Sequence, residues 1–333
     1  MKRLVSATLV VLLGTGCLFA GGAKEKTEAK TAPDSMALIL SGPANDQGWN
    51  AVAVAGLEAT AKKFNLKTTM MEHVAIADAQ AAYRQLAAEG YDIIIGHGSQ
   101  YGEPAAAVSS EFPGKYFLAT ESNSYSDNAA SYVMACEQGA YVIGILSAGM
   151  SQSGTIGVIG GFEQPSITKE IEAFKLAAKS IRPEIKVLEI YINSFVDTNL
   201  GYEAAMTMIG QGADVIYQVA NQAGNGALIA CAERGIYGCG NSYDQNSIAP
   251  EHVLSSTIYN MDQVMITAVS SILDGTFKGG VYNLGMDRKV VQVAPYHSLE
   301  EKIPQALKEK VAQTVQDIVS GRMQVPVISS PTK

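Results

Sequence analysis

The chain is 333 residues long, more than one hydrophobic core usually fills, so two folding units are expected. Its formal charge of −8, with no basic run interleaved with aromatics, argues against a nucleic-acid partner. After the first residues, no apolar run approaches the roughly 20 residues that a membrane-spanning helix needs.

The first residues read as an address. Met1, Lys2 and Arg3 give a basic start, and Leu4 to Leu13 follow as an apolar run too short to span a bilayer. Gly14, Thr15 and Gly16 are small and stand directly before Cys17, an order that resembles a bacterial lipobox. Gly14 departs from the leucine usual at its position. The resemblance implies that residues 1–17 are a lipoprotein signal and that Cys17 carries the lipid; the alternative is an ordinary signal peptide with an incidental cysteine. Residues 18–35 are polar, charged and too poor in apolar side chains to build a core, so they read as a flexible tether.

From Met36 onward, short apolar runs alternate with segments of helical period. Strands are expected at 36–42, 67–74, 92–98 and 115–120, with helices at 49–64, 79–90 and from Glu103. The pattern then restarts. Residues 131–138 lead into a helix at 140–150, and strands at 155–162, 186–195, 214–220 and 236–241 alternate with helices to Ala177, around 199–210 and around 226–234. A strand at 252–260 and a helix at 262–273 remain. Strict β–α alternation implies parallel, doubly wound sheets, so the fold class is α/β with two lobes.

No nucleophile elbow, phosphate-binding loop, HExxH or cysteine–histidine cluster is present, so neither an enzyme nor a metal or cofactor is expected. Cys136, Cys231 and Cys239 form an odd set after Cys17. They read as buried small hydrophobes, with a Cys231–Cys239 disulfide as the alternative.

Several segments together are similar to one family. GPANDQGWNAVAVAG (42–56), GYDIIIGHGSQYGEP (90–104), GTIGVIGGFEQPSI (154–167), QGADVIYQVANQAGNG (211–226) and LDGTFKGGVYNLG (273–285) resemble the basic membrane protein family of solute-binding lipoproteins. The resemblance spans about 36–296 and implies a type I periplasmic binding protein: two lobes with parallel sheets joined by crossover hinge strands. It implies 36–128 plus 256–288 for lobe 1 and 129–255 plus 289–333 for lobe 2, with crossovers near 121–131, 254–260 and 285–290. It also implies a ligand cleft at the carboxyl edges of the sheets.

The expected contacts follow from that edge. Trp49, the only tryptophan, stands between the first strand and its helix, where an aromatic can stack on a flat ligand; the alternative is a seam cover. Asn50 offers a donor and an acceptor. Asp46 is either a contact or, like Asn45, a helix N-cap. Gly98, Ser99 and Tyr101 follow the third strand, whereas His97 reads as packing. Glu121 stands where the family has an aspartate that bonds a purine N–H edge. Phe162 and Asn221 are the second-lobe candidates, Asn221 also fitting helix-start chemistry.

Two departures bear on the ligand. Nucleoside-binding relatives resemble one another in GVDSDQ, whose first Asp holds the ribose, and in a later lysine. Here GNSYDQ (240–245) puts Ser242 at that place and keeps Asp244, and Tyr259 and Asn260 stand where the lysine is expected. Ribose recognition is therefore expected to matter less. The resemblance implies an extracytoplasmic, lipid-anchored receptor that hands a purine base or nucleoside to an ABC permease. Alternatives are a riboflavin receptor and the ligand-binding part of a sensor or chemotaxis system.

If Cys17 carries the anchor, Cys17→Ala should move the protein from the membrane to the soluble fraction. Unchanged membrane association in cell fractionation would contradict the anchor.

Overall fold

A computed structural model describes residues 32–46 and 48–331. The expected signal, Cys17 and nearly all of the tether lie outside the described residues. Pro33–Lys333 forms one compact unit, and it contains two six-stranded sheets.

The first sheet uses β1 (Ser35–Ile39), β2 (Lys67–Met71), β3 (Ile93–Gly96), β4 (Tyr116–Thr120), β5 (Ala129–Met134) and, much later, β11 (Gly280–Leu284). Their order is β11-β5-β4-β3-β1-β2, parallel throughout. The helices α1 (Trp49–Phe64), α2 (Ala79–Ala88), α3 (Gly102–Ser109) and α8 (Met261–Leu273) cover it, α8 lying along α1. Every residue of β1 and β3 is buried, as strands covered on both faces must be.

The second sheet uses β6 (Thr155–Gly160), β7 (Lys186–Tyr191), β8 (Val215–Val219), β9 (Tyr237–Gly240), β10 (Val253–Tyr259) and β12 (Val291–Val293), ordered β12-β10-β9-β8-β6-β7. Only the β10–β12 pair is antiparallel. Around this sheet stand α4 (Cys136–Met150), α5 (Pro165–Ile181), α6 (Thr198–Gly210), α7 (Gly224–Glu233) and α9 (Gln305–Val319). The helix α4 is buried on nearly all sides, between α5, the sheet and α9, which fits its uncharged sequence beyond Glu137.

The chain changes sheets after Met134, after Tyr259 and after Leu284. Two of the expected boundaries differ from this. Residues 129–134 pair with β4 and belong to the first sheet, whereas 256–259 stay in β10 of the second. Both segments read as apolar strands of either lobe, and only their partners decide. The three crossovers lie side by side: Ala135 N donates to Leu284 O (3.0 Å), and Asn260 N donates to Val290 O (2.8 Å).

In each sheet the strand order turns back once, between β1 and β3 and between β6 and β8. Such switch points open a crevice at the carboxyl ends of the strands. The three cysteines of this unit are free, buried thiols, not a disulfide. No helix among the described residues is long and apolar enough to cross a membrane.

The α6–α7 contact relies on absent side chains. A Cβ at Gly226 would stand 1.9 Å from Thr198 O, whereas one at Gly210 would meet nothing within 4 Å. Gly226→Ala should therefore cost about 1–3 kcal/mol through overpacking, seen as a lower urea midpoint, while Gly210→Ala should not. Equal midpoints would contradict this packing.

Candidate functional site

A cavity of about 410 Å³ lies where the two switch points face each other. Its wall is made by residues that follow strands: Ser41, Gly98 and Glu121 from the first sheet, and Gln164, Asn221 and Ser242 from the second. Its size falls in the range of small-molecule sites, about 300–1,000 Å³. Glu121 (φ 55°), Asn221 (φ 52°) and Ser242 (φ 75°) all have left-handed backbone. For non-glycine residues this conformation costs energy and clusters at functional sites.

The first-lobe wall is built around Asp46. Its carboxylate accepts from the backbone N–H groups of Gly48 (3.0 Å), Asn50 (3.0 Å) and Ala51 (2.9 Å). Those groups have no helical partner at the start of α1, so Asp46 acts as the cap and fixes Trp49 and Asn50. The Trp49 indole lies on the buried His97 ring, with centroids 4.1 Å apart and planes at 20°. The Trp49 carbonyl can only accept, so His97 Nε2 donates to it (2.9 Å), and Nδ1 accepts from Thr120 Oγ1 (3.2 Å). Burial favours the neutral ring and pushes its pKa down to about 3, the bond to Trp49 only partly opposing. Asn50 is 5% exposed, and its Oδ1 is buried without a hydrogen-bond partner among the described residues.

Two groups reach across from the second lobe. The Asn221 side chain accepts from Trp49 N (2.8 Å) and donates to Asp46 Oδ2 (3.1 Å). From α5, Lys169 Nζ donates to Met134 O (2.7 Å) and Glu121 Oε2 (3.2 Å), and it pairs with Glu137 at 3.6 Å. Burial works against the Lys169 charge, but these carboxylates hold its pKa above the usual lysine value. Glu137 is raised by burial, with Lys169 opposing.

A further buried carboxyl group on the wall is Glu170, the next residue on α5. Its Oε2 accepts from the Tyr217 hydroxyl (3.1 Å), Asn241 Nδ2 (2.8 Å) and the Tyr259 hydroxyl. Burial raises its pKa to about 7 against the pull of these donors and of Lys169.

Of the expected residues, Asp46, Trp49, Asn50, Gly98, Ser99, Glu121, Asn221, Ser242 and Tyr259 come together on the cavity wall. Four lie elsewhere. Tyr101 turns inward, fully buried, and its hydroxyl donates to Val74 O (2.7 Å). Phe162 is 38% exposed and rests on Phe195, which itself lines the cavity. Asp244 pairs with His297 at 2.6 Å, away from the wall. Asn260 serves the hinge, its amide donating to Lys289 O (2.7 Å) and Gln292 Oε1 (2.7 Å). Gln164, from the expected cluster after β6, also lines the wall, whereas Glu170, Asn241 and Cys136 line it without having been anticipated. GNSYDQ gave a signal for Asn241, beside Ser242. Glu170 had none, because a Lys–Glu pair in a helix reads as a solvated face.

Residues 34–329 match the Bmp family, described as ABC transporter substrate-binding protein PnrA-like. The chain is 28% identical to a purine-binding protein of Brucella abortus, over 95% of this chain and 88% of that one. It is 27% identical to an ABC transporter nucleoside-binding protein of Lactococcus lactis, over 98% and 99%. The fold matches an ABC transporter solute-binding protein of Aeropyrum pernix K1 with a TM-score of 0.79 at 20% identity, covering 90% of this chain and 94% of that one.

The His97 environment sets a pH dependence. Its folded pKa lies below the unfolded value near 6.5, so unfolding takes up a proton below that pH. This contribution to stability is complete above pH 6.5 and is lost as pH falls toward 3. Denaturant titrations from pH 7 to 5 should show a steeper loss in the wild type than in His97→Gln, the slopes differing by up to about 1.4 kcal/mol per pH unit. Parallel slopes would contradict a neutral His97.

Proposed function

The chain belongs to the Bmp family of PnrA-like ABC transporter substrate-binding proteins, and from that premise we propose that it captures a purine base or nucleoside in the inter-lobe cavity. The observation that carries this reading is the pair Trp49 and Asn50. An indole backed by His97 offers a face to a planar ring, and beside it on the wall stands Asn50, whose Oδ1, enclosed and unpartnered among the described residues, would gain a partner by turning to a ligand donor in the cavity. A buried acceptor without a partner costs about 1–3 kcal/mol. A flat heterocycle with an N–H edge answers both features. The names of the Brucella and Lactococcus relatives support the same ligand class.

Charge narrows the class further. Among the described residues, the wall contains Asp46, Glu121 and Glu170 and no lysine, arginine or histidine. Lys169 is engaged by Glu121 and Glu137. Nothing there neutralises a phosphate, so the base and nucleoside fit and the nucleotide does not.

Transport then follows from the lobes. A ligand held by both favours the closed arrangement through contacts that only this arrangement makes. The membrane permease reads the closed shape, and a lipid on Cys17 keeps the receptor near it.

Ligand titrations followed by Trp49 fluorescence test the reading, since the protein has no other tryptophan. Adenine, guanine, adenosine or guanosine should quench it, and Asn50→Ala should weaken binding about tenfold. AMP should bind at least roughly tenfold more weakly than adenosine. Tighter binding of sugars, amino acids or AMP than of every purine base and nucleoside would overturn the purine reading; tighter riboflavin binding would reassign the site to a larger flat ligand.

A further inference from the structure

The helix α5 turns two consecutive side chains to different tasks. Lys169 ties the lobes together, and Glu170, 4% exposed, stands on the cavity wall. The donors around Glu170 come from three separate places: Tyr217 in β8, Asn241 after β9 and Tyr259 in β10. They are cross-linked, since Asn241 Nδ2 also reaches Thr257 Oγ1 (3.0 Å) and the Tyr259 hydroxyl (2.9 Å). Ser242 Oγ donates to Asn241 Oδ1 (2.9 Å), holding the amide in place. All three side-chain bonds to the carboxyl fall on Oε2, so Oε1 is the oxygen left to a ligand. A carboxyl group is costly to bury unless its oxygens receive donors. The corner where Ser242 removes a carboxylate thus still contains one, supplied by α5.

We propose that Glu170 is the specificity-determining acceptor of the second lobe, its Oε1 taking an N–H or O–H of the ligand. The cavity then selects a ligand that offers donors to both lobes, one to Asn50 and one to Glu170. This rests on the reading of the cavity as a purine site.

The groups facing Glu170 fix how it titrates. Tyr217, Tyr259 and Cys136 are all pushed above their ordinary pKa values by burial, and Lys169 remains charged between Glu121 and Glu137. Glu170 itself stands at about 7. A ligand donor favours the ionised carboxylate, so binding expels the proton and tightens as pH rises through 7.

Calorimetry on the full chain at pH 6 and pH 8 tests this with adenine, adenosine and 2′,3′-dideoxyadenosine. Wild-type affinity should rise about tenfold between the two pH values, following the ionised fraction. In Glu170→Gln the amide oxygen keeps the three protein donors and the amide N–H₂ faces the ligand. Affinity at pH 8 should fall at least roughly tenfold and lose its pH dependence. A full effect with adenine assigns the donor to the base; an effect present with adenosine and absent with the dideoxy compound assigns it to the sugar. Unchanged affinity and pH profile in Glu170→Gln overturns the role of Glu170 and leaves the purine reading standing. Failure of the wild type to bind any of the three, or guanine or guanosine, overturns the purine reading and this assignment with it. Should Glu170→Gln not fold, proton release by the wild type decides. Calorimetry at pH 7 in buffers of different ionisation enthalpy should report about half a proton per ligand, and none would overturn the proposal.

Discussion

The Asn221 side chain is the interaction on which the cavity depends. It spans the lobes, accepting from Trp49 N and donating to Asp46. Asp46 in turn holds the first N–H groups of α1, so one amide from the second lobe bears on the whole helix start that carries Trp49 and Asn50. The contact also explains the left-handed backbone of Asn221. An asparagine tolerates that conformation better than most residues, and here it aims both amide atoms at the other lobe.

A second set of contacts divides charge between structure and ligand. Lys169, Glu121 and Glu137 satisfy one another and the Met134 carbonyl at the seam. Burying such a triad adds little net stability, but losing one member leaves an uncompensated charge, so it favours one specific lobe arrangement. Glu170 has no cation within its own bonded set and relies on neutral donors. That contrast between neighbouring carboxylates gives the cavity its acidic, acceptor-rich character.

Much of the architecture was legible in the sequence because parallel sheets bury their strands on both faces, so MALIL and DIIIG stand out as apolar runs between helical segments. The lobe boundaries were less legible, because AASYVM and VLSSTIY suit either sheet and their partners lie far along the chain. For the same reason the short strands GVYNL and VQV, and the amphipathic α9, were not anticipated as elements. At the site, the loop after β1 was readable from NDQGW, since a polar turn before a helix at a switch point has few other uses. Tyr101 misled because GSQY reads as an exposed turn, yet the 3₁₀ turn swings the ring into the core. Asp244 has its partner His297 in a distant segment. Glu170 was invisible because its burial comes from β8 and β10 and not from its own helix.

The central claim is that a planar ligand lies against Trp49 and satisfies Asn50 from within the cavity. A crystal structure of the chain with adenosine tests it most directly. The account predicts the purine ring stacked on the indole face opposite His97, with a ligand N–H about 2.9 Å from Asn50 Oδ1. A ligand bound outside the cavity, or inside it with Asn50 Oδ1 still unpartnered, would contradict the account.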